Sequence, residues 1–423
     1  MSRRWWAVVV VAVLAVAAVT VGIATSRAQG SATLQSLSVA QLLAKVAAAP
    51  QSTTAVSGDV SWTNGLIPGS DLTGLLGGQS SAPSSLSGLA LGGSGRLWLQ
   101  QGGGLRLESQ GSGSDFVVVA GKDGLWSYSS ATGTATRYAP PAGASAGTPT
   151  LSPSPQASPA DTLAAIAAGL QRFASTGTVT MGPQVTVAGR PSYTLVMTPA
   201  SATTTIGSVR VAIDARTFVP LRVQVFAKGD TTAVLSAGFT SVSYGRVAGS
   251  LFTFTPPTGA TVRHTPLPSP QGLLRAANGP HKGAAHATAL TLAQATAAAA
   301  RDGLALTAPV QSSLPASLAF EGAAVSPSAK GHGAVAVLHY GNGFGSVALV
   351  ESQGASGASA TLPQQLAGLP RGLSERTSVA GTTAYGLSTS LFNVVAWQHG
   401  KVTVVAAGMV PKATLQAFVA AVR

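Results

Sequence analysis

The chain has 423 residues, a formal net charge of +13 and no cysteine, so it is long enough for two or three domains and excludes disulfides, thiolate metal sites, a cysteine nucleophile and a lipid-modified cysteine. Charged residues make up 9%, far below the usual quarter. The positives are dispersed, with no basic stripe alternating with aromatics, which argues against nucleic acid.

Arg3 and Arg4 precede an apolar run, Trp5–Ala24. About 20 such residues span a bilayer, and the arginines hold the start inside. Residues 1–30 therefore read as a signal peptide, with Ser26-Arg27-Ala28 as a small-residue cleavage site, or as an uncleaved N-terminal anchor. Either reading places the rest of the chain in the extracytoplasmic space, anchored to the cell membrane or secreted.

Ser38-Val-Ala-Gln41 is a capping-box pattern that opens a short helix with Val39, Leu42, Leu43 and Val46 on one face. Strands are expected at Val56–Thr63, Ser94–Gln100, Gly104–Ser109, Asp115–Ala120 and Leu125–Ser129, with Arg137 and Tyr138 in a further one. Ser158-Pro159-Ala-Asp161 starts a second helix through about Ala174. Strands follow at about Val179–Val187, Arg190–Pro199, Ser208–Asp214, Leu221–Lys228 and Ala233–Tyr244, then Leu251–Phe254. His264–Ala289, with four prolines, reads as a linker. Beyond it come a helix over Leu292–Arg301, strands at Ala334–Tyr340 and Phe344–Glu351 around Asn342-Gly343, and further strands at Glu375–Val379, Thr383–Leu387, Phe392–Gln398 and Lys401–Ala407. A closing helix has Pro411 near its first turn. Residues 31–263 form one expected domain, 264–289 the linker and 290–423 a smaller α+β domain.

The hairpin Ser208–Lys228 alternates strictly. Val209, Val211 and Ile213, then Leu221, Val223 and Val225, share one apolar face, and Ser208, Arg210, Asp214, Arg222 and Gln224 take the other. Helix over that face makes it core; lipid over it makes it a binding site. About ten strands against two short helices leave more apolar sheet than the helices cover, and a partly open cavity resolves the mismatch. Candidate cavity walls are Trp62, Trp98, Phe116, Trp126, Leu195, Val209, Val211, Ile213, Leu221, Val223 and Val225. The insert Asn64–Gly93 carries Leu72, Leu75, Leu76, Leu86 and Leu89 among glycines and serines, and these are candidate lid residues.

Catalytic signals are weak. Gly143-Ala-Ser145-Ala-Gly147 spells a nucleophile elbow but lies in a Pro-rich loop rather than a strand-to-helix turn. Gly341-Asn-Gly343-Phe-Gly345 lacks the helix a dinucleotide site needs. Asp214 reads as a turn residue bonding its own backbone rather than a general base. All six histidines follow residue 263 without converging, so no metal and no cofactor are expected.

The strings Ala40-Gln-Leu-Leu-Ala-Lys-Val46, Asp123-Gly-Leu-Trp-Ser-Tyr128, Val187-Ala-Gly-Arg-Pro-Ser-Tyr193 and Val211-Ala-Ile-Asp214 through Pro220-Leu-Arg-Val-Gln-Val225 occur in an order that resembles the LolA/LolB and RseB (MucB) group of periplasmic lipoprotein-binding proteins. The resemblance implies a strongly curved antiparallel sheet, an incomplete barrel with plugging helices, followed by the smaller α+β domain. It implies a non-enzymatic role: holding a lipid or lipid-modified protein. An RseB-like regulator contacting a membrane-bound anti-sigma protein is the alternative, and a hydrolase the third.

Overall fold

The computed structural model describes residues 34–66, 92–100, 104–111, 114–121, 123–139, 177–266, 290–327, 334–353, 358–369 and 373–422. Most are in strands. The expected leader, the second helix through Ala174, the elbow-like string Gly143–Gly147 and all five lid candidates lie outside these residues.

Helix α1 (Val39–Ser52) begins as its capping box demands. The Gln41 backbone N–H donates to Ser38 Oγ at 3.2 Å, and the Gln41 side chain accepts from the Ser38 N–H at 2.9 Å. Ser38→Ala is expected to lower stability by about 1 kcal/mol, the usual worth of such a cap, read as a shift in the urea midpoint.

Among the described residues thirteen strands follow: β1 (Ala55–Asn64), β2 (Gly93–Gln100), β3 (Gly104–Gly111), β4 (Ser114–Gly121), β5 (Gly124–Ser129), β6 (Thr134–Ala139), β7 (Gly177–Val187), β8 (Arg190–Pro199), β9 (Ile206–Asp214), β10 (Pro220–Ala227), β11 (Leu235–Phe239), β12 (Ser243–Tyr244) and β13 (Thr261–Pro266). They make one sheet in the order β13-β6-β5-β4-β3-β2-β1-β11-β10-β9-β8-β7, with β12 also on β1. The path has two ends and does not close into a barrel among the described residues. Every pairing is antiparallel except β13 with β6. Bulges interrupt the register at Gly182/Val185 and at Pro220/Arg222, and such insertions bend and twist a strand.

The expected strand Ala233–Tyr244 is two strands. Between them Ser241 crowds β1 so closely that a Cβ at Gly58 would sit 1.9 Å from the Ser241 carbonyl oxygen. Only glycine admits that approach. Leu251–Phe254 is not a strand either. Gly249–Phe252 is a 3-10 turn whose Phe252 ring lies on Gly104. The β7–β8 turn has Ala188 and Gly189 both at positive φ, 51° and 72°, the two-residue geometry that suits the twist of a hairpin.

A second sheet holds β14 (Phe320–Pro327), β15 (Ala334–Tyr340), β16 (Val347–Gln353), β17 (Ser374–Val379), β18 (Thr382–Ser388), β19 (Asn393–His399) and β20 (Val402–Gly408) in the order β14-β15-β16-β20-β19-β18-β17. Helices α2 (Leu292–Arg301) and α4 (Lys412–Ala420) share a core with Leu338, Leu349, Trp397 and Val404. Helix α3 (Ala358–Ala367) places Leu366 with Ala396 and Val405 on the other face. Pro411 is the N-cap of α4, next to its first turn as expected. No helix among the described residues is long and apolar enough to cross a membrane.

Candidate functional site

Directly opposed residues of antiparallel strands share a face, so the register alone maps the large sheet. One row runs Trp62, Ala237, Val223, Val211, Leu195. A neighbouring row runs Val60, Gly95, Ser109, Phe116, Ser129. Trp62 and Val60 are two apart on β1, so both rows lie on one face. Apart from Ser109 on β3, this face is apolar from β8 to β4, and it becomes hydroxyl-bearing at β5 and β6, where Ser127, Ser129 and Thr136 are buried.

The expected cavity walls divide. Trp62, Phe116, Leu195, Val209, Val211, Ile213, Val223 and Val225 stand on this face. Trp98 and Trp126 do not: the row Ser57, Trp98, Arg106, Val119, Trp126, Arg137 belongs to the opposite face. There Arg96 lies 5.3 Å from the Trp98 ring and Arg137 5.7 Å from the Trp126 ring, with Phe254 at 5.4 Å from the Trp126 ring. Parity therefore puts Trp98 and Trp126 on the face opposite Trp62, so the three tryptophans do not line one face of the sheet.

The greasy hairpin face is covered at three places by protein. Leu42 and Val46 of α1 pack with Tyr193, Leu195, Met197, Val211 and Ile213, and Val209 and Val223 border that cluster. Two polar contacts hold α1 in place. Tyr193 Oη donates to the Gln35 carbonyl at 2.8 Å, and the Lys45 ammonium lies 4.7 Å from the Phe218 ring. Leu221 instead joins a cluster with Val56, Val60, Trp62, Leu97, Leu99, Leu107 and Phe239. At the far end Val225 packs with Ile206, Ala227, Val234 and, from the second sheet, Leu391, with Phe344 and Met409 beside them. Thr205 ties the same seam, its N–H donating to the Met409 carbonyl at 2.9 Å and its hydroxyl to the Leu391 carbonyl at 2.6 Å.

One stretch differs. Among the described residues, the cluster around Val60, Trp62, Leu97, Leu99 and Leu107 contains no helical side chain. Trp62 is 3% exposed, and its indole N–H has no hydrogen-bond partner. Its ring lies over Gly93, where a Cβ would come within 3.0 Å.

Asp214 is more than a turn residue. Its carboxylate accepts the Arg216 and Thr217 N–H groups at 2.7 and 3.1 Å, the local bonds expected of an Asx turn. It also accepts both Arg190 Nε and Nη2, and Tyr244 Oη at 2.8 Å. Burial alone would raise this carboxyl, which is 1% exposed; the Arg190, Arg216, Tyr244 and Thr217 bonds outweigh it and hold the group below its ordinary value. Arg190 sits on the next strand and is visible as a neighbour once the hairpin is drawn. Tyr244 has no local signal, because it reaches Asp214 from β12.

The second sheet carries a small pocket between β17, β18, β19 and α4, with the Glu375–Lys412 pair at 2.6 Å on its rim and buried Asn393 on its wall. No group of three or more His, Asp or Glu side chains suited to a metal occurs among the described residues.

No family model matches the chain, and no curated protein matches it. Among solved structures, the chain is similar to MucB in complex with MucA(peri), at 14% identity, covering 91% of this chain and 98% of that one with a TM-score of 0.39. It is also similar to the MucA/MucB complex of Pseudomonas aeruginosa, at 14% identity over 90% of this chain and 97% of that one, with a TM-score of 0.39. Over a shorter span it is similar to the LolA-superfamily protein NE2245 of Nitrosomonas europaea, at 10% identity over 52% of this chain and 99% of that one, with a TM-score of 0.21. The structure thus resembles MucB and LolA-superfamily proteins at low identity.

Proposed function

We propose that the large sheet is a half-barrel that holds a lipid, or the acyl chain of a lipid-modified protein, without covalent chemistry. The observation that carries this reading is the apolar stretch Val60, Trp62, Leu97, Leu99 and Leu107, which lies beside the α1-covered region and contains no helical side chain among the described residues. Among the proposed wall residues Trp62 belongs to this stretch, Leu221 packs with it and Phe116 shares its face, while Val209, Val211, Ile213, Val223, Val225 and Leu195 frame it from the side that α1 and the second sheet occupy. Leu72, Leu75, Leu76, Leu86 and Leu89 are proposed as a lid over its mouth, and residues 31–263 and 290–423 as two domains. The expected leader puts both outside the cytoplasm.

Each buried methylene contributes about 0.8 kcal/mol, so ten buried carbons supply ~8 kcal/mol before ordering costs. Native mass spectrometry of the ectodomain purified without detergent is expected to show a lipid adduct. A fluorescent fatty acid is expected to bind the delipidated protein and to quench Trp62. A clean apo mass together with no uptake sinks the proposal. The second reading is regulation, with a membrane-bound anti-sigma protein as partner, as MucB is found with MucA. Co-purification of such a partner with the lipid-free protein, and its retention when fatty acid is added, would favour it.

A further inference from the structure

On the face of the large sheet opposite Val211 and Val223, one row of opposed residues crosses from β1 to β8: Ser61, Gly238, Arg222, Ala212 and Thr194. Ser236 stands two residues from Gly238 on β11 and so faces the same way. Ser61, Ser236 and Thr194 are 5%, 2% and 6% exposed, and none of their hydroxyls has a hydrogen-bond partner. Arg222 Nε is also buried without one. The ion pairs among the described residues join Arg106 to Glu108, Arg190 to Asp214 and Lys412 to Glu375, and leave Arg222 out. Asp59, the nearest acid along β1, is taken up by the Ser241 hydroxyl at 2.7 Å.

The arrangement around Gly238 is specific. A Cβ there would lie 2.9 Å from Arg222 Cγ and 3.0 Å from Arg222 Cβ. The arginine stem therefore rests on the one residue that neighbours both serines, and the absence of a side chain gives it room. Burial pulls the guanidinium below its ordinary arginine value, with no carboxylate to offset that cost. Buried polar groups in folded proteins are nearly always paired, and a half-buried cation without a carboxylate partner still carries a desolvation cost. Three unpaired hydroxyls and a guanidinium without a carboxylate partner form a set rich in donors, which suits a ligand that only accepts, with the exposed Asp59 carboxylate two residues from Ser61 holding the Ser241 hydroxyl.

We propose that Arg222, with Ser61 and Ser236, forms an oxyanion site that takes a phosphate group, either free or carried on a lipid head. The guanidinium supplies paired N–H donors to two phosphate oxygens, and the serine hydroxyls donate to the remaining ones. Thr194 closes the row on the far side of Ala212. By register the row stands opposite Trp62 and Val211, although Ala212 within it packs with the Val60 and Trp62 cluster, and fatty-acid uptake, the control, should be unaltered when the site is lost.

The test is thermal unfolding of the full chain in a neutral detergent, in sodium phosphate and in sodium chloride of equal ionic strength. At ten times its dissociation constant, phosphate is expected to raise the melting temperature of the wild type by roughly 1.5–2 °C. Arg222→Met should show no rise while melting no lower than the wild type in chloride, because it removes a half-buried charge that has no carboxylate partner. Should that variant melt early, Ser236→Ala still has to shrink the phosphate response, since it keeps the charge and deletes one donor. Short-chain phosphatidic acid in the same micelles, with phosphatidylcholine as control, distinguishes the sources. A rise with phosphate assigns the free anion, and a rise with phosphatidic acid alone assigns the lipid head. No shift with either probe, or equal shifts in the wild type and both variants, overturns the site.

Discussion

Asp214→Ala is expected to destabilise the protein by about 3–5 kcal/mol, the usual range when one partner is removed from a buried pair, and nearer the lower end because Arg190 is 29% exposed. The loss has three parts. Arg190 loses its carboxylate, Tyr244 Oη loses its acceptor, and the Arg216 and Thr217 N–H groups lose theirs. The turn they hold contains Phe218 at a φ of 58°, a conformation that costs a non-glycine residue free energy. Phe218 is the ring under Lys45, so the damage should spread to α1. Chemical denaturation should show the lowered midpoint, and amide exchange should show early loss of protection in residues 39–49. Asp214→Asn keeps an acceptor for the turn and should recover part of the loss. The sign with pH follows from the depressed carboxyl. Its contribution is fully present above the unfolded value of about 4 and disappears as pH falls through the lower folded value. An Asp214→Ala midpoint equal to that of the wild type at pH 7 would remove the node from the account of stability.

The second large effect is expected from Glu351, on β16. It is 0% exposed, and its two oxygens accept only the Thr307 N–H, at 3.1 and 2.9 Å. Burial pushes it up to about 7 against the bonds from Thr307, which pull the other way. The folded state therefore holds a proton that the unfolded state has already lost between about pH 4.5 and 7. Stability declines as pH rises through that window and levels off above it. A shift of this size corresponds to about 3 kcal/mol. Glu351→Gln keeps an acceptor for Thr307 and carries no charge, so at pH 8 it should be more stable than the wild type by up to that amount, and equal to it at pH 5. His339 acts in the opposite sense. Burial lowers its value, so the support of its neutral form is fully present above the unfolded value of about 6.5 and is lost as pH falls towards the lower folded value. The difference between wild type and Glu351→Gln cancels this term, and a difference that does not grow from pH 5 to pH 8 would refute the assignment.

Strands and turns were legible wherever the pattern is local. Val209, Val211 and Ile213 declare a strand by alternation, and the Ala188-Gly189 turn announces itself between two such runs. The strand β13 was hidden because its partner β6 lies more than a hundred residues earlier and pairs with it in parallel. Its six residues fell partly into what reads as a linker. Helix α3 was hidden for a different reason: a run of Ala, Ser and Thr with Pro363 inside it has little periodic signal, and its place is set by Leu366 docking on β18 to β20. The parity of the tryptophans was beyond any single strand. Period two gives two faces on β2, but which of them Trp98 shares with Trp62 depends on the register Ser57 to Trp98 and Trp62 to Gly93. Asp214 shows the same limit in energetic form. Its turn bonds are local and were read; its ion pair and its tyrosine come from other strands.

The seam at Thr205 bears on modularity. Leu391, Phe344 and Met409 dock on Ile206, Val225 and Val234, so a cut within residues 267–289 would expose apolar side chains on both fragments. The connecting stretch is a covalent tether between parts that already recognise each other. The two sheets behave as a pre-paired complex within one polypeptide, for which the effective concentration is set by that tether. Fragments expressed separately are thus ready-made complementation partners, and an engineer wanting either sheet alone must first replace Leu391 or Val225 with a polar side chain.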